Sequence, residues 1–254
     1  MTALFTPEAN TNDNSDTPSL RYSVICIDGP SGAGKGTVTW RLAQTLGYQL
    51  LDSGALYRIV GLKAFEAGLL EVNGEQSIDE AALLALTQSL QIVFELNTDS
   101  GRVDIVVNGA KIGEQVRNET VGGYASQVAV YPKVRQALLK LQQDMATQSG
   151  LVADGRDMGT VVFPDADVKV YLTASAKARA ERRVAQLLEA GQAADFEAIL
   201  ATIKARDDRD ENRTTAPSKP AEDALVLDSS NLDADAVYEL VKKHCQDQGI
   251  FFNR

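Results

Sequence analysis

The sequence contains few of the side chains on which many enzyme sites depend. It has one histidine, His244, and two cysteines, Cys26 and Cys245, among 254 residues. His244 falls far along the last predicted helix, where we expect a structural role, so histidine-based catalysis and His-rich metal sites are excluded. Cys26 lies inside a predicted strand, and two cysteines make no disulfide framework. A reducing compartment therefore fits the cysteine usage.

Long apolar stretches and an excess of positive charge are also missing. No apolar run reaches about 18 residues and no signal peptide is visible, which predicts a cytoplasmic protein. The 25 basic and 35 acidic residues give a net charge of −10. This charge argues against binding to nucleic acid or to membranes, although it leaves room for a local basic pocket. We expect a monomer whose partners are small molecules.

A phosphate-binding loop organises the remainder of the chain. Residues 24–27 form a short apolar run rich in β-branched side chains, which predicts a buried strand. A glycine-rich turn, Lys35 and a run of good helix formers follow, and this order presents backbone N–H groups and an ammonium to a phosphate. Because Gly36 follows the lysine, the expected hydroxyl arrives only at Thr37. This ending resembles the nucleoside monophosphate kinases more than GTPases or motor ATPases.

Apolar strand patterns alternate with helical patterns after this loop. The alternation predicts an α/β fold, a five-stranded parallel sheet of the P-loop NTPase type flanked by helices. Ser53 is the expected N-cap of the second helix, and Pro132 should start a new segment or kink the helix that contains it. The predicted strands cover residues 24–27, 48–51, 150–154, 167–173 and 224–228, and the predicted helices cover residues 34–46, 53–67, 126–148, 175–188, 196–212 and 234–245.

Two segments depart from the alternation. The polar residues 1–20 lack periodicity and predict a disordered tail. Residues 73–121 predict a small antiparallel insertion into a kinase core formed by residues 21–72 and 122–254. This insertion either covers a second substrate or is a purely structural subdomain. Its predicted elements are a helix at 78–90 and strands at 90–95, 103–107 and 111–116.

Arginines and carboxylates follow the strand ends, which is where ligands bind in open parallel sheets. Arg58 comes after the second strand, and an exposed surface arginine is the alternative for this position. Arg156 and Asp157 come after the third strand, beside Asp154, which has the position of a Walker-B-type carboxylate. Glycines, an arginine and carboxylates at one strand end favour a turn that faces a ligand.

Two later helices carry further arginines. Arg179, Arg182 and Arg183 either form a solvated face or close over a transferring phosphoryl group. Arg206, Asp210 and Arg213 share one helical face, for which an ion-paired surface is the alternative. Phosphoryl transfer suits this set of residues, because it requires positioning and charge neutralisation, and an acceptor phosphate is already ionised.

Together these motifs resemble the bacterial cytidylate kinase family over almost the whole chain after the tail. The matching stretches are IDGPSGAGKGT at 27–37, LDSGALYR at 51–58, ASQVA at 125–129, ADGRDMGTVVFP at 153–164 and RDDRD at 206–210. The resemblance implies transfer of the γ-phosphate of ATP to CMP or dCMP, giving ADP and CDP or dCDP. It also implies that the insertion is an enlarged monophosphate-binding subdomain and that residues 176–192 form a short helical lid.

The resemblance further implies roles for individual residues. The ATP phosphates would be held by Gly29, Pro30, Ser31, Gly32, Ala33, Gly34, Lys35, Gly36 and Thr37. The acceptor phosphate would be approached by Ser53, Arg58 and Arg156, and the cytosine edge would be contacted by Ser126, Arg135 and Asp157. The ribose would be contacted by Arg206 and Asp210, and the basic lining would be completed by Arg213. The implied catalytic residues are Lys35, Arg156, Arg182 and Arg183. Mg²⁺ is expected with ATP near Thr37 and Asp154, through water and without an assigned direct ligand.

Two other functions are compatible with the loop. The chain could be a P-loop kinase with a different acceptor, such as a small metabolite. It could also be a nucleotide-dependent switch or binding module without useful turnover, although the sequence shows no clear hydrolysis-positioning residue for that function.

Overall fold

The computed structural model describes residues 22–70, 78–100, 102–212 and 216–252. In chain order its strands are β1 (Val24–Asp28), β2 (Gln49–Asp52), β3 (Ile92–Asn97), β4 (Arg102–Val107), β5 (Ala110–Ile112), β6 (Leu151–Gly155), β7 (Val168–Thr173) and β8 (Leu225–Asp228). Its α-helices are α1 (Lys35–Leu46), α2 (Ser53–Glu66), α3 (Glu80–Ser89), α4 (Glu119–Val128), α5 (Pro132–Met145), α6 (Ala176–Glu189), α7 (Phe196–Asn212) and α8 (Ala234–Asp247). The predicted tail lies outside the described residues.

A five-stranded parallel sheet forms the centre, in the order β2-β6-β1-β7-β8. Cys26 of β1 packs on one side with residues of α2 and α5, and Ile25 and Ile27 pack on the other side with residues of α1 and α8. Strands covered on both faces read as continuous apolar runs, which is why β1 was recognisable from the sequence. The predicted α/β fold with helices on both faces is confirmed.

A separate antiparallel sheet, β3-β4-β5, is formed by residues of the predicted insertion. Asn108 and Gly109 turn the chain between β4 and β5, with φ angles of 50° and 79°. An Asn-Gly pair tolerates two left-handed residues in succession, as a tight hairpin requires. The hairpin of β3 and β4 was predicted correctly.

Three local predictions were wrong. The third strand of the insertion ends at Ile112, and a 3₁₀ turn over Glu114–Arg117 carries Val116 into the core, so its apolar pattern did not mean a strand. Helix α4 begins at Glu119, well before residue 126, because the Asn118 side chain caps it by accepting from Val121 N at 2.8 Å. The N-cap of α2 is Asp52 rather than Ser53, since the Asp52 carboxylate accepts from Ala55 N at 2.9 Å.

Pro132 occupies the first turn of α5 and separates that helix from α4. Its missing N–H costs nothing at this position, so the predicted new segment is confirmed. Helix α7 has the predicted bounds. In the part of the chain that the structure describes, no helix combines the length and the apolarity needed to cross a membrane.

Candidate active site

The loop between β1 and α1 has the shape of an anion-binding nest. Gly29, Gly32 and Gly34 adopt φ angles of 139°, 80° and 97°, which side chains rarely tolerate. A Cβ on Gly29 would lie 1.9 Å from the carbonyl oxygen of Leu172 on β7, so only glycine fits there. Because α1 begins directly after this turn, the unpaired N–H groups of its first turn are available for an anion.

Lys35 sits beneath this loop with only 7% of its surface exposed. Its ammonium donates to the Pro30 carbonyl at 3.1 Å and lies 3.5 Å from Oδ1 of Asp154 on β6. Burial lowers the pKa of Lys35 to about 8, opposed mainly by the Asp154 charge. Burial likewise raises the pKa of Asp154 to about 6, opposed mainly by the Lys35 charge. An anion at the loop would therefore favour the charged form of the lysine.

Asp28, at the end of β1, is a site residue that the sequence analysis did not identify. Its carboxylate accepts hydrogen bonds from Met158 N at 2.9 Å and Gly159 N at 2.8 Å. These bonds connect the turn after β6 to β1, the strand that precedes the phosphate loop. The turn carries Arg156 and Asp157. Burial raises the pKa of Asp28 to about 6, against the two backbone donors. The sequence feature that could have identified Asp28 was its position, a carboxylate at the end of a strand predicted to be buried.

A cavity of about 290 Å³ opens beside this turn. Three of the predicted acceptor residues, Ser53, Arg135 and Asp157, lie in its wall. An Arg135 Nη2 lies 3.4 Å from Oδ2 of Asp157, and its guanidinium is 5.7 Å from the centre of the Tyr57 ring. The other lining residues are Tyr57, Gln136, Leu139, Gln142, Val161, Val162 and Ala216.

Arg58 and Arg156 hold neighbouring chain segments in place. Arg58, on α2, donates to the carbonyls of Val116 at 3.1 Å and Asn118 at 2.8 Å, where the insertion joins α4. Arg156 pairs with Asp210 of α7, with Nε 2.9 Å from Oδ2. The structure thus brings together a residue expected at the acceptor phosphate and one expected at the ribose.

The phosphate loop also receives arginines from α6 and α7. Arg206 of α7 donates to Ser31 Oγ at 3.3 Å. Arg179 of α6, which is 4% exposed, donates to the Ser31 carbonyl at 3.1 Å and forms a two-point ion pair with Asp207. Helices α6 and α7 are therefore fastened to each other and to the loop by one buried guanidinium.

The two candidate lid arginines lie elsewhere on α6. Arg182 donates to the Ser229 carbonyl and, at 3.3 Å, to the Leu232 carbonyl beyond β8. Arg183 is exposed. Their sequence pattern could not distinguish them from Arg179, because all three side chains are on the same helix and only packing decides which one turns inwards.

Ser126, another predicted acceptor residue, does not line the cavity either. Ser126 is exposed on α4, and its hydroxyl donates to the Gly122 carbonyl at 3.1 Å. Arg213 lies outside the described residues.

Comparisons with known proteins point to one family. A family model described as cytidylate kinase matches residues 25–247. The chain is 53% identical to a cytidylate kinase of Pasteurella multocida over 214 residues, which is 84% of this chain and 91% of the relative. It is 50% identical to a cytidylate kinase of Sodalis glossinidius over 224 residues, or 88% and 95% of the two chains. A cytidylate kinase of Pseudomonas paraeruginosa is 49% identical over 226 residues, covering 89% and 96%.

Proposed function

This chain belongs to the cytidylate kinase family, and we propose that its reaction is the transfer of the γ-phosphate of ATP to CMP or dCMP, which gives ADP and CDP or dCDP. The chain is accordingly an ATP-dependent phosphotransferase of nucleotide metabolism. The finer assignments below are proposals about its residues.

One observation carries the proposal best. The strand β6 and the turn that follows it contribute to both the phosphate loop and the cavity. Asp154 pairs with Lys35 of the phosphate loop, and Asp157 lines the cavity with Arg135. A phosphate donor at the loop and an acceptor in the cavity would thus be only a few residues apart along one strand end. Such proximity is what direct transfer between two nucleotides requires.

On the donor side, we propose that residues 29–37 bind the ATP phosphates through main-chain N–H groups and the Lys35 ammonium. Arg206 and Arg179 support this assignment, since both already donate to Ser31 within the loop. Arg179 acts as a positioning residue in this proposal, because its buried contacts hold the loop against α6 and α7. Arg182 and Arg183 stay candidates for contact with the transferring group after movement of the lid, residues 176–192.

On the acceptor side, the cavity is proposed to hold the cytosine. Asp157 would accept a hydrogen bond from the exocyclic amine, where uracil would present a carbonyl oxygen and repel the carboxylate. Arg135 would bind beside it, while Ser53, Arg58 and Arg156 would approach the phosphate. Arg206 and Asp210 would contact the sugar, and Arg213 would complete the basic lining. Ser126 would reach the base if α4 and the insertion, residues 73–121, move inwards.

Catalysis in this arrangement rests on charge neutralisation. The acceptor phosphate oxygen is already ionised, so no general base is needed, and the lack of a nearby histidine is compatible with the reaction. Lys35 and Arg156 would stabilise the negative charge that is shared between the two phosphates in the transition state. Burial of Lys35 strengthens this effect, since electrostatic interactions weaken as water enters.

Thr37 and Asp154 offer oxygen atoms suited to Mg²⁺. Asp154 faces the first turn of α1, where its Oδ2 would lie 3.8 Å from a Cβ placed on Gly36, and Thr37 is exposed on that turn. Among the described residues, no three His, Cys, Asp or Glu side chains form a metal-binding group. We propose that the ion arrives with ATP and retains several waters. When bound, Mg²⁺ would neutralise phosphate charge.

The reaction is assigned to a monomer in the cytoplasm. Support for a reducing compartment comes from Cys26 and Cys245, both of which are buried free thiols.

A panel of acceptors tests the proposed function. Purified protein with ATP and Mg²⁺ should phosphorylate CMP and dCMP at kcat/KM values at least about a hundredfold above those for UMP, AMP and GMP. Equal use of all acceptors, or phosphorylation of a small metabolite instead, would refute it. Tight binding of ATP without any CMP-dependent release of ADP would instead support a nucleotide-dependent binding module.

A further inference from the structure

Gln142 of α5 is a polar side chain in the cavity wall to which no role has yet been given. It is 2% exposed, and its Nε2 donates to the Leu138 carbonyl at 3.0 Å. The other end of the amide, Oε1, is buried, and no residue in the described part of the chain donates a hydrogen bond to it. A buried acceptor without a donor is unfavourable and calls for an explanation.

The Leu138 carbonyl determines which end of the Gln142 amide lacks a hydrogen-bond partner among the described residues. A carbonyl oxygen can only accept, so the amide nitrogen must face Leu138, and rotating the amide by half a turn would place two acceptors against each other. The unsatisfied group is therefore an acceptor, and any ligand that satisfies it must present a donor.

The neighbouring Gln143 provides a comparison for Gln142. Its Nε2 also donates to a backbone carbonyl, that of Val162 at 3.1 Å. Gln143 is exposed, however, so its amide oxygen can be hydrated, and it is not part of the cavity wall. Two adjacent glutamines thus have the same kind of donor contact, but of the two only Gln142 has a buried oxygen that no described residue pairs with.

The surroundings of Gln142 indicate what kind of donor would reach it. Arg135 and Gln142 are separated by seven residues, about two helical turns, so they lie on the same face of α5, and Asp157 lines the same cavity. Cytosine carries an exocyclic amine with two N–H groups, whereas uracil has an oxygen at that position. One carboxylate and one amide oxygen are a matched pair of acceptors for such an amine.

We propose that Gln142 is a base-specificity residue, whose buried Oε1 turns to the cavity when the base binds and accepts a hydrogen bond from the exocyclic amine of the cytosine. Together with Asp157 it makes the cavity selective for a 4-amino over a 4-oxo pyrimidine. This inference rests on the proposed function, because it takes the cavity to be the base site.

The test replaces Gln142 by methionine, which has nearly the same length and volume but no acceptor oxygen. The Gln142→Met enzyme should show kcat/KM for CMP lowered about tenfold, the effect of losing one hydrogen bond of ordinary strength. Use of UMP should be unchanged or improved, and the KM for ATP should stay within about twofold, since the phosphate loop is untouched. Gln143→Met is the matched control and should keep the CMP-to-UMP ratio of the unmodified enzyme.

A nucleotide lacking the amine makes the test specific to the proposed contact. The monophosphate of a pyrimidin-2-one nucleoside, which has hydrogen at position 4, should bind the unmodified enzyme more weakly than CMP. Gln142→Met should discriminate between the two about tenfold less, when affinity is measured by calorimetry without ATP. Equal discrimination by both enzymes would show that Oε1 is satisfied in another way, for instance by a water, and would overturn the inference.

The outcomes separate this inference from the proposed function. If the unmodified enzyme itself does not prefer CMP to UMP, the proposed function fails. If it does prefer CMP and Gln142→Met retains the full preference, only the role of Gln142 fails. Should Gln142→Met not fold, a crystal structure of the unmodified enzyme with CMP decides: the inference requires Oε1 within about 3.2 Å of the amine nitrogen, and a greater separation overturns it.

Discussion

At the scale of single residues, the site is notable for ionisable groups whose pKa values are moved towards neutral pH by burial. Lys35 has its pKa lowered to about 8, and Asp154 has its pKa raised to about 6. Each is the nearest counter-charge of the other, but the pair does not overcome the loss of hydration. A triphosphate at the loop would add negative charge, raise the pKa of Lys35 and so keep the lysine charged at higher pH.

The affinity for ATP should therefore depend on the protonation of Lys35. We expect the affinity to fall by up to about tenfold per pH unit above pH 8, because the neutral amine no longer attracts the phosphates. Near pH 8, binding should take up a proton, which calorimetry in buffers of different ionisation heats measures directly. Lys35→Met should bind ATP weakly throughout and without this proton uptake. An affinity that stays constant between about pH 7 and pH 9 in the unmodified protein would contradict the prediction.

At the scale of secondary-structure elements, the close contact of α2 and α4 positions Arg58. A Cβ on Gly61 of α2 would lie 2.6 Å from the backbone carbon of Tyr124, so the two helices touch through a glycine. Arg58, one turn before Gly61, reaches the backbone carbonyl of Asn118, the residue whose side chain caps α4. The spacing of the helices and the direction of this arginine are thus connected.

Gly61→Ala should push α4 away from α2 and destabilise the protein by about 1–3 kcal/mol, as overpacking does. Because Arg58 loses its carbonyl partners, the KM for CMP should rise while the KM for ATP changes little. Denaturant unfolding and steady-state kinetics measure the two effects.

Gly123→Ala is the matched control, since a Cβ there would meet nothing within 4 Å. It adds the same methyl group to a helix and should stabilise the protein by about 0.5–1 kcal/mol. Similar effects of the two substitutions would show that the helix contact is unimportant.

At the scale of the whole molecule, Asp28 connects segments that are distant in sequence. It joins the end of β1 to Met158 and Gly159, 130 and 131 residues further along the chain. Burial raises its pKa from 3.8 to about 6. Between these pH values the native protein holds a proton that the unfolded chain releases, so the stability of the protein falls as the pH rises through this range.

The contribution of Asp28 to that fall is about 3 kcal/mol, at about 1.4 kcal/mol per pH unit. In Asp28→Asn, the free energy of unfolding should therefore decrease less between about pH 4 and pH 6 than in the unmodified protein. The variant should also be less stable overall, because its amide nitrogen would face a backbone donor. Chemical denaturation at several pH values measures both.

Asp144→Asn provides the comparison, because that carboxylate is exposed and pairs with Lys140 on the same helix. The stability of the Asp144→Asn variant should depend on pH as that of the unmodified protein does. If Asp28→Asn showed the same dependence as well, the buried carboxylate would not be the titrating group.

Much of the fold and part of the site could be predicted because the signals were contiguous. The apolar run of β1, the glycines and Lys35 lie within a few residues, and the Asn-Gly turn and the Pro132 break are equally local. The errors at Ser53, at the start of α4 and after Ile112 arose where a neighbouring cap or a core contact decided the element boundary.

The sequence by itself determined the parallel sheet, the phosphate loop and the family, because each depends on short-range patterns that hold whatever the rest of the chain does. Only the tertiary structure decided that Arg179 rather than Arg182 turns to the loop, that Asp28 holds the turn after β6, and that the Gln142 amide oxygen is buried without a donor among the described residues. The physical reason is that a long side chain can reach several partners. Which one it meets depends on how segments far apart in the sequence pack together.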